Sequence, residues 1–317
     1  MERRQFLIGS AAVMSSALFA ERGTAAAHEA EITGRTYRIL GVPLRSGSLY
    51  PGNENDARAY RDAHLLDRLH AAGCKASDEG DVAIPSYLPH HSIPPIRNWP
   101  GPRIAWECVS ERIEPFLRQP GNVPLLVGCD CSVAIGSAQA LMQAGEREIH
   151  VLYVDGDFDD AAPDPAISHS AASSGVWLLT HPSPFWAGPV LKPSQVTVIG
   201  WTKPSQSREV GTASMSLKDL RQMDMQGAAR NILEAIPPSA AILLHFDIDV
   251  VRQSDLPVAY FPHPEGLSLA ETGALLGILL KDPRIRIIEV SEYATLRDLD
   301  QRYISKLIDL LVQAIKS

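Results

Sequence analysis

The amino-acid sequence predicts an α/β protein in which helices cover both faces of a mainly parallel sheet. From Thr36 onward, short continuous apolar runs alternate with amphipathic segments. Continuous apolar runs of this length are typical of strands that are buried on both faces. No repeat or low-complexity linker divides this stretch. The pattern therefore favours a single domain of three layers.

The predicted elements follow from the length and periodicity of each segment. The predicted strands are 37–41, 123–128, 150–154, 195–200, 241–246 and 286–290. The predicted helices are 57–72, 105–117, 133–144, 217–235, 269–281 and 300–316. Residues 84–102 are rich in Pro and His, and we expect a surface loop there because proline interrupts regular structure.

Composition excludes several classes of protein. The chain has 317 residues, 45% of them hydrophobic, and a formal net charge of -8. This length allows a full hydrophobic core, and the acidic balance without a Lys/Arg cluster argues against a nucleic-acid partner. The four cysteines are too few for a disulfide framework.

The first residues indicate an export signal. Arg3 and Arg4 precede an apolar stretch diluted by Gly and Ser, and the alanines at 25–27 provide a small-residue cleavage site. We expect residues 1–27 to be a twin-arginine signal peptide and residues 28–317 to be the mature domain, which would be periplasmic or secreted. The apolar stretch of about fifteen residues is too short to cross roughly 30 Å of hydrocarbon, so no stable membrane span is predicted.

Two apolar runs end in aspartates at alternate positions. Asp155, Asp157 and Asp159 follow one run, and Asp247 and Asp249 follow another. A spacing of two places side chains on the same side of an extended chain, and open α/β sheets bind ligands beyond the carboxyl ends of their strands. Because packed carboxylates repel one another unless cations hold them, the pattern indicates a metal site. The alternative is a pair of solvated acidic turns.

Cys131 follows a third apolar run, in the turn 128–132 that leads into a predicted helix. The N-terminus of that helix and a nearby metal ion would both favour a thiolate. We therefore predict Cys131 as a metal ligand. The alternatives are a buried apolar cysteine and a redox pair with Cys129, although a disulfide between cysteines so close in sequence is strained.

The order of these motifs resembles the ureohydrolase family of arginase, agmatinase and related binuclear manganese hydrolases. Segment 128–132 stands where that family has Gly-Gly-Asp-His-Ser, segment 155–159 stands for its Asp-Ala-His-x-Asp, and segment 246–249 stands for its Phe-Asp-x-Asp. The resemblance covers nearly all of the mature chain. It implies an arginase-like fold and hydrolysis of a carbon–nitrogen bond in a guanidino or amidino compound, such as an arginine derivative, with release of urea or a substituted urea.

The resemblance also implies two divalent metal ions, Mn2+ in the family pattern, with Fe or Zn as alternatives because of the cysteine. Asp155 and Asp247 would bridge the two ions, with a bridging hydroxide as the nucleophile. The other ligands would form two pairs, Cys131 with Asp159 and Asp157 with Asp249. The implied partner is a small guanidino substrate, and relatives of this family assemble as homotrimers or hexamers.

Three further residues complete the site that the resemblance implies. Glu289 would face the cationic carbon group of the substrate, and His169 would return a proton to the leaving amine. Ser174 falls where the family has a loop histidine before a glycine, and it would contact the substrate. The alternatives are a strand-end surface carboxylate for Glu289 and an ordinary polar loop residue for His169. His245 is expected to point away from the site.

The sequence departs from the family pattern at both metal-binding histidines, which are replaced by Cys131 and Asp157. The cysteine resembles a branch of the family that acts on hydroxylated arginine. Six anionic ligands would face two divalent ions, which leaves an excess of two negative charges. The excess is relieved if Asp157 is protonated or is not a ligand, if only one metal binds, or if the site prefers a softer or more highly charged ion. The alternative function is a degenerate, non-catalytic protein of this fold that binds a metal or a small ligand.

Overall fold

A parallel sheet forms the centre of the protein. The computed structural model describes residues 34–43, 46–48, 55–85, 88–188, 190–205 and 212–316, and in these residues eight strands pair in the order β2-β1-β3-β8-β7-β4-β5-β6. The strands are β1 (Thr36–Gly41), β2 (Lys75–Asp81), β3 (Asn122–Cys129), β4 (Ile149–Val154), β5 (Val196–Ile199), β6 (Ala213–Met215), β7 (Ala241–Asp247) and β8 (Ile285–Ser291). All the pairs are parallel. The predicted parallel α/β architecture is therefore confirmed.

All six predicted strands are present, and the sequence prediction missed the two edge strands. β2 is polar and partly exposed along its length, and β6 has three residues. Neither strand is buried on both faces, so neither carries the continuous apolar run that marks the central strands.

Helices flank the sheet, and two of the predicted ones are interrupted. The helices are α1 (Asp56–Asp62), α2 (Leu65–Ala71), α3 (Gly101–Leu117), α4 (Val133–Gln143), α5 (Gly175–Thr180), α6 (Leu217–Leu220), α7 (Met225–Glu234), α8 (Leu269–Leu279) and α9 (Arg302–Lys316). His64 has a left-handed backbone, with φ of 62°, and separates α1 from α2. A further single-turn 3-10 helix, Ile248–Val250, follows β7 directly.

The sheet separates two hydrophobic cores, which confirms the three layers. Leu125 and Val127 of β3 pack into the core that contains the buried faces of α1, α2, α7, α8 and α9. Leu126 points to the opposite face, where α3 and α4 pack. The alternation of side chains along each strand therefore supplies both cores from continuous apolar runs.

The four central strands bring three chain segments to one edge of the sheet. β3, β8, β7 and β4 are neighbours, and in register Asp247 lies opposite Ser291 while Cys129 also pairs with Ser291. In a parallel sheet all the carboxyl ends face the same way. The aspartates after β4 and β7 and the cysteine after β3 therefore meet at this edge.

The predicted export signal at residues 1–27 lies outside the described residues. Among the residues that the structure does describe, no helix has the length and apolar character needed to cross a membrane.

Candidate metal centre

A tight turn after β3 places Cys131 at the edge of the sheet. Gly128 has a φ of 78°, and a Cβ there would lie 2.4 Å from the backbone nitrogen of Ala57. The backbone NH of Ser132 donates to Asp130 Oδ1 at 2.9 Å, and the NH of Gly47 donates to Asp130 Oδ2 at 3.0 Å. The turn is thus held from both sides, and Cys131 is buried just before α4.

Cys131 belongs to a first group of possible metal ligands. One ligand atom from each of Cys131, Asp155, His245 and Asp247 lies within 4.8 Å of all the others, and all four residues are buried. Cys131 Sγ lies 2.7 Å from Asp247 Oδ2. The second carboxylate oxygen of Asp155, Oδ2, is buried and has no hydrogen-bond partner, which is costly for a carboxylate unless a cation is bound there.

The two aspartate pairs are oriented in the same way. The NH of Asp157 donates to Asp155 Oδ1 at 2.7 Å, and the NH of Asp249 donates to Asp247 Oδ1 at 2.8 Å. Each local hydrogen bond occupies one oxygen of the first aspartate and turns the other oxygen toward the group. The spacing of two therefore places both aspartates of a pair on one side of the chain, and it also fixes which carboxylate oxygen of the first aspartate faces the group.

His245 points toward the site, although its sequence position predicted that it would point away. Its ring stacks on Tyr153 with 4.3 Å between centroids, Nδ1 lies 2.8 Å from Glu289 Oε2, and Nε2 lies 3.2 Å from Ser291 Oγ. Ser291 Oγ is in turn 3.5 Å from Cys131 Sγ. β7 stays extended through Asp247, so the spacing of two puts His245 on the same side as Asp247, within the first group.

A second group consists of Asp157, Asp249 and His263. His263 Nε2 lies 3.2 Å from Asp157 Oδ2 and 3.5 Å from Asp249 Oδ2. Without a metal ion, the neighbouring carboxylates of Asp157 and Asp249 raise the pKa of His263 to about 10. Burial raises the pKa of Asp157, but His263 and Lys203 outweigh burial and hold it below the ordinary value.

Burial and mutual repulsion dominate the electrostatics of the first group. Burial raises the pKa of the Cys131 thiol well above its ordinary value, and the carboxylates of Asp247 and Glu292 raise it further. Burial and neighbouring carboxylates also raise the pKa of Asp155 and of Asp247. The helix N-terminus, worth at most about 2 kcal/mol, is outweighed, and the thiolate that the sequence analysis expected requires a bound cation.

The two groups open into a cavity of about 290 Å³. All six predicted ligands line it, namely Cys131, Asp155, Asp157, Asp159, Asp247 and Asp249. Asp159 belongs to neither group, and it accepts a hydrogen bond of 2.9 Å from the hydroxyl of Tyr153. His169 also lines the cavity, and it is positioned by backbone hydrogen bonds with Pro95 and Arg97 from the Pro- and His-rich loop.

Glu289 and Ser174 do not line the cavity, although both were predicted to contact substrate. Glu289 is fully buried beneath the first group, where Ser137 and His245 donate hydrogen bonds to it. Ser174 is also fully buried. Glu292 lines the cavity instead, because a left-handed turn at its own backbone, with φ of 62°, directs the chain back after β8.

Sequence reasoning missed His263 and Glu292. His263 lies in a loop fourteen residues beyond Asp249, and no spacing rule links the two positions. Glu292 follows Glu289 by three residues, and only the positive φ distinguishes which of the two carboxylates enters the cavity. A histidine between two prolines, Pro262 and Pro264, was the one available signal that the loop is rigid enough to hold a ligand.

A model of the arginase family matches residues 35–315. The chain belongs to the arginase family. An arginase of Agrobacterium fabrum is 25% identical to it over 284 residues, which cover 84% of this chain and 87% of that protein. The structure of Entamoeba histolytica arginase in complex with L-ornithine superposes with a TM-score of 0.78 at 14% identity, and covers 89% of this chain and 98% of that one. Formimidoylglutamase from Bacillus subtilis superposes with a TM-score of 0.66 at 16% identity, over 89% and 86% of the chains.

The side chains of this arginase-family protein fit a divalent metal ion. The first group offers a sulfur, carboxylate oxygens and a buried oxygen of Asp155 without a partner. Such mixed donors suit Mn, Fe and Zn, and sulfur favours the softer ions among them. Cys131, Asp155 and Asp247 would hold the ion. Ser291 contacts Cys131, and His245 contacts Ser291.

Proposed function

We propose that the protein is a metal-dependent hydrolase that cleaves a carbon–nitrogen bond of a guanidino or amidino compound, such as an arginine derivative, and releases urea or a substituted urea. The observation that carries the proposal is the convergence of Cys131, Asp155 and Asp247 on the floor of a cavity in a chain of the arginase family. The likeness to both an arginase and a formimidoylglutamase structure supports an amidine-type carbon as the reacting centre.

The cavity wall suits a cationic substrate. Glu292 lines it and lies close enough to Cys131 and Asp247 to raise their pKa values. A guanidinium or amidinium group would lower this repulsion and be oriented by the Glu292 carboxylate. Glu292 therefore takes the substrate-facing role that the sequence analysis gave to Glu289.

The chemistry at the floor requires a nucleophile and a route for the proton. Bound divalent ions, Mn2+ by family likeness with Fe2+ or Zn2+ as alternatives, would supply a water of lowered pKa. His169 lines the same cavity and is half-buried, so it adjoins both the cavity and solvent. We propose that His169 returns a proton to the leaving amine.

The test combines metal analysis with product detection. Protein expressed with Mn, Fe or Zn is analysed by elemental mass spectrometry, and a panel of guanidino and amidino compounds is screened for release of urea, hydroxyurea or amine. We expect the wild type to bind metal and release product, and Cys131→Ser and Asp247→Asn to bind less metal and release no product. Cys108→Ser, outside the cavity, is the control and should retain both.

Two other outcomes are informative. Metal that binds without any product from the whole panel would favour the alternative, a non-catalytic protein that binds metal or a small ligand. Absence of metal from the wild type under every supplementation would overturn the hydrolase proposal.

A further inference from the structure

The family motif has a histidine where this chain has Asp157. His263, from a separate loop, lies 3.2 Å from that aspartate. We propose that His263 supplies the imidazole ligand of a second metal ion, together with Asp157 and Asp249, and so replaces the histidine that the family motif carries at position 157. The inference rests on the proposed function, because it requires that divalent ions bind in the cavity. It adds a ligand from a loop that the family motifs do not include.

The distances match those between ligands of one ion. Ligand atoms bound at about 2.1 Å lie roughly 3.0 to 3.4 Å apart in octahedral or tetrahedral arrangements. His263 Nε2 lies 3.2 Å from Asp157 Oδ2 and 3.5 Å from Asp249 Oδ2. Both distances are close to this range, and one ligand atom from each of the three residues lies within 4.8 Å of the other two.

Backbone hydrogen bonds hold Asp249 and His263 in place. The NH of Gly156 donates to Asp249 Oδ1 at 3.0 Å, which leaves Oδ2 facing His263. The carbonyl of His263 accepts from the NH of Gln253 at 2.7 Å. The loop is therefore fastened to the segment that follows β7, and the imidazole is held against the two carboxylates.

Gly156 makes the room that the His263 ring needs. A Cβ at this position would lie 2.6 Å from Cδ2 of His263 and 2.9 Å from Asp249 Oδ1. The family motif has alanine here, and this chain has glycine next to the aspartate that replaces the histidine. The changes at 156 and 157 are therefore spatially linked, since the first opens the space that the imidazole fills.

An independent feature indicates a cation in the same cavity. Asp155 is 1% exposed and its Oδ2 has no hydrogen-bond partner. Asp155 belongs to the first group, and the NH of the next residue, Gly156, donates to Asp249 Oδ1 of the second group at 3.0 Å, so Asp155 adjoins both groups. An oxygen in this position can serve an ion in either group.

The test uses Co2+, whose spectrum separates the two groups. Sulfur-to-cobalt charge transfer reports the ion bound by Cys131, and titration calorimetry gives the number of ions and their Kd values. We expect the wild type to bind two ions. His263→Ala should keep the charge-transfer band and weaken the other ion by more than the roughly 10- to 100-fold that loss of a surrounding hydrogen bond costs.

A control variant and a second substitution beside His263 test whether the loss of the ion is specific. His169→Ala removes a histidine that lines the cavity but belongs to neither group, and it should retain two ions with unchanged Kd. Gly156→Ala keeps every proposed ligand residue but places a Cβ 2.6 Å from the His263 ring and 2.9 Å from Asp249 Oδ1, and it should weaken the same ion as His263→Ala. Circular dichroism of each variant shows whether it folds.

A further variant tests whether a histidine at position 157 can replace His263. Adding Gly156→Ala and Asp157→His to His263→Ala restores the family motif and should recover the second ion. If His263→Ala and Gly156→Ala both bind two ions with wild-type Kd, the His263 inference is wrong while the proposed function stands. If the wild type binds no ion, both are wrong.

Discussion

Two glutamates near the end of β8 have opposite environments. Glu289 is fully buried and linked through His245 and Ser291 to Cys131, whereas Glu292 lines the cavity. The first therefore acts through the ligands that it supports, and the second faces the space that a substrate would occupy. Isosteric substitution to glutamine separates the two roles.

We predict that Glu292→Gln lowers kcat/KM by about 10- to 100-fold, the value of a hydrogen bond to a charged group, with no loss of thermal stability. Glu289→Gln should instead lower the free energy of unfolding by about 1 to 3 kcal/mol, because it disturbs buried hydrogen bonds. Steady-state kinetics and urea unfolding of both variants measure these effects. Equal kinetic losses without a difference in stability would show that the assignment is wrong.

The sequence predicted the candidate ligands that follow apolar runs at a period of two, but it missed His263 and Glu292. Asp155 and Asp247 follow apolar strands, and the period of two fixes their direction. His263 and Glu292 depend on the path of the chain after the strands, which hydrogen bonds such as Gln253 to His263 determine. These contacts join distant or irregular segments and leave no periodic signal in the sequence.

At the scale of elements, the contact between α3 and α4 positions the turn that carries Cys131. Gly136 of α4 lies against the backbone of α3, and a Cβ there would be 2.5 Å from the carbonyl oxygen of Trp106. Trp106 also donates a hydrogen bond of 2.9 Å to Ser132 Oγ, next to Cys131. The close approach of α3 and α4 therefore stabilises the turn that carries Cys131 as well as the packing between the two helices.

We predict that Gly136→Ala destabilises the protein by about 1 to 3 kcal/mol, since overpacking against backbone exceeds the gain of about 1 kcal/mol in helix propensity. Gly273→Ala in α8 is the matched control, because its Cβ would meet only the end of the Leu310 side chain at 3.2 Å. We expect the control to be neutral or stabilising. Urea unfolding measures the free energy of unfolding of both variants. Equal values for the two variants would contradict the predicted clash at Gly136.

The central strands were predictable because each one contributes to two cores. Residues such as Leu125 and Leu126 pack on opposite faces, so the whole run must be apolar. The division between α1 and α2 was not predictable from periodicity, since His64 adopts a left-handed backbone without glycine. The boundary therefore depends on tertiary packing rather than on local propensity.

At the scale of the whole molecule, the cavity floor joins segments that are far apart in sequence. Cys131 follows β3, Asp155 follows β4 and Asp247 ends β7, so their ligand atoms converge only in the folded sheet. An ion that binds this arrangement binds the native state and not the unfolded chain. By mass action, a free metal concentration of 100 times Kd stabilises the native state by about 2.7 kcal/mol.

We predict that Mn2+ raises the Tm of the wild type by several degrees and raises that of Asp247→Asn by less. In the presence of a chelator the order should reverse, with Asp247→Asn at least as stable as the wild type. The asparagine removes one charge from carboxylates that repel one another and keeps the Oδ1 that accepts the Asp249 NH. Differential scanning fluorimetry with Mn2+ and with chelator provides both comparisons. A variant that is less stable than the wild type in chelator would mean that Asp247 stabilises the fold without a metal ion, and that the repulsion inferred for the cluster is absent.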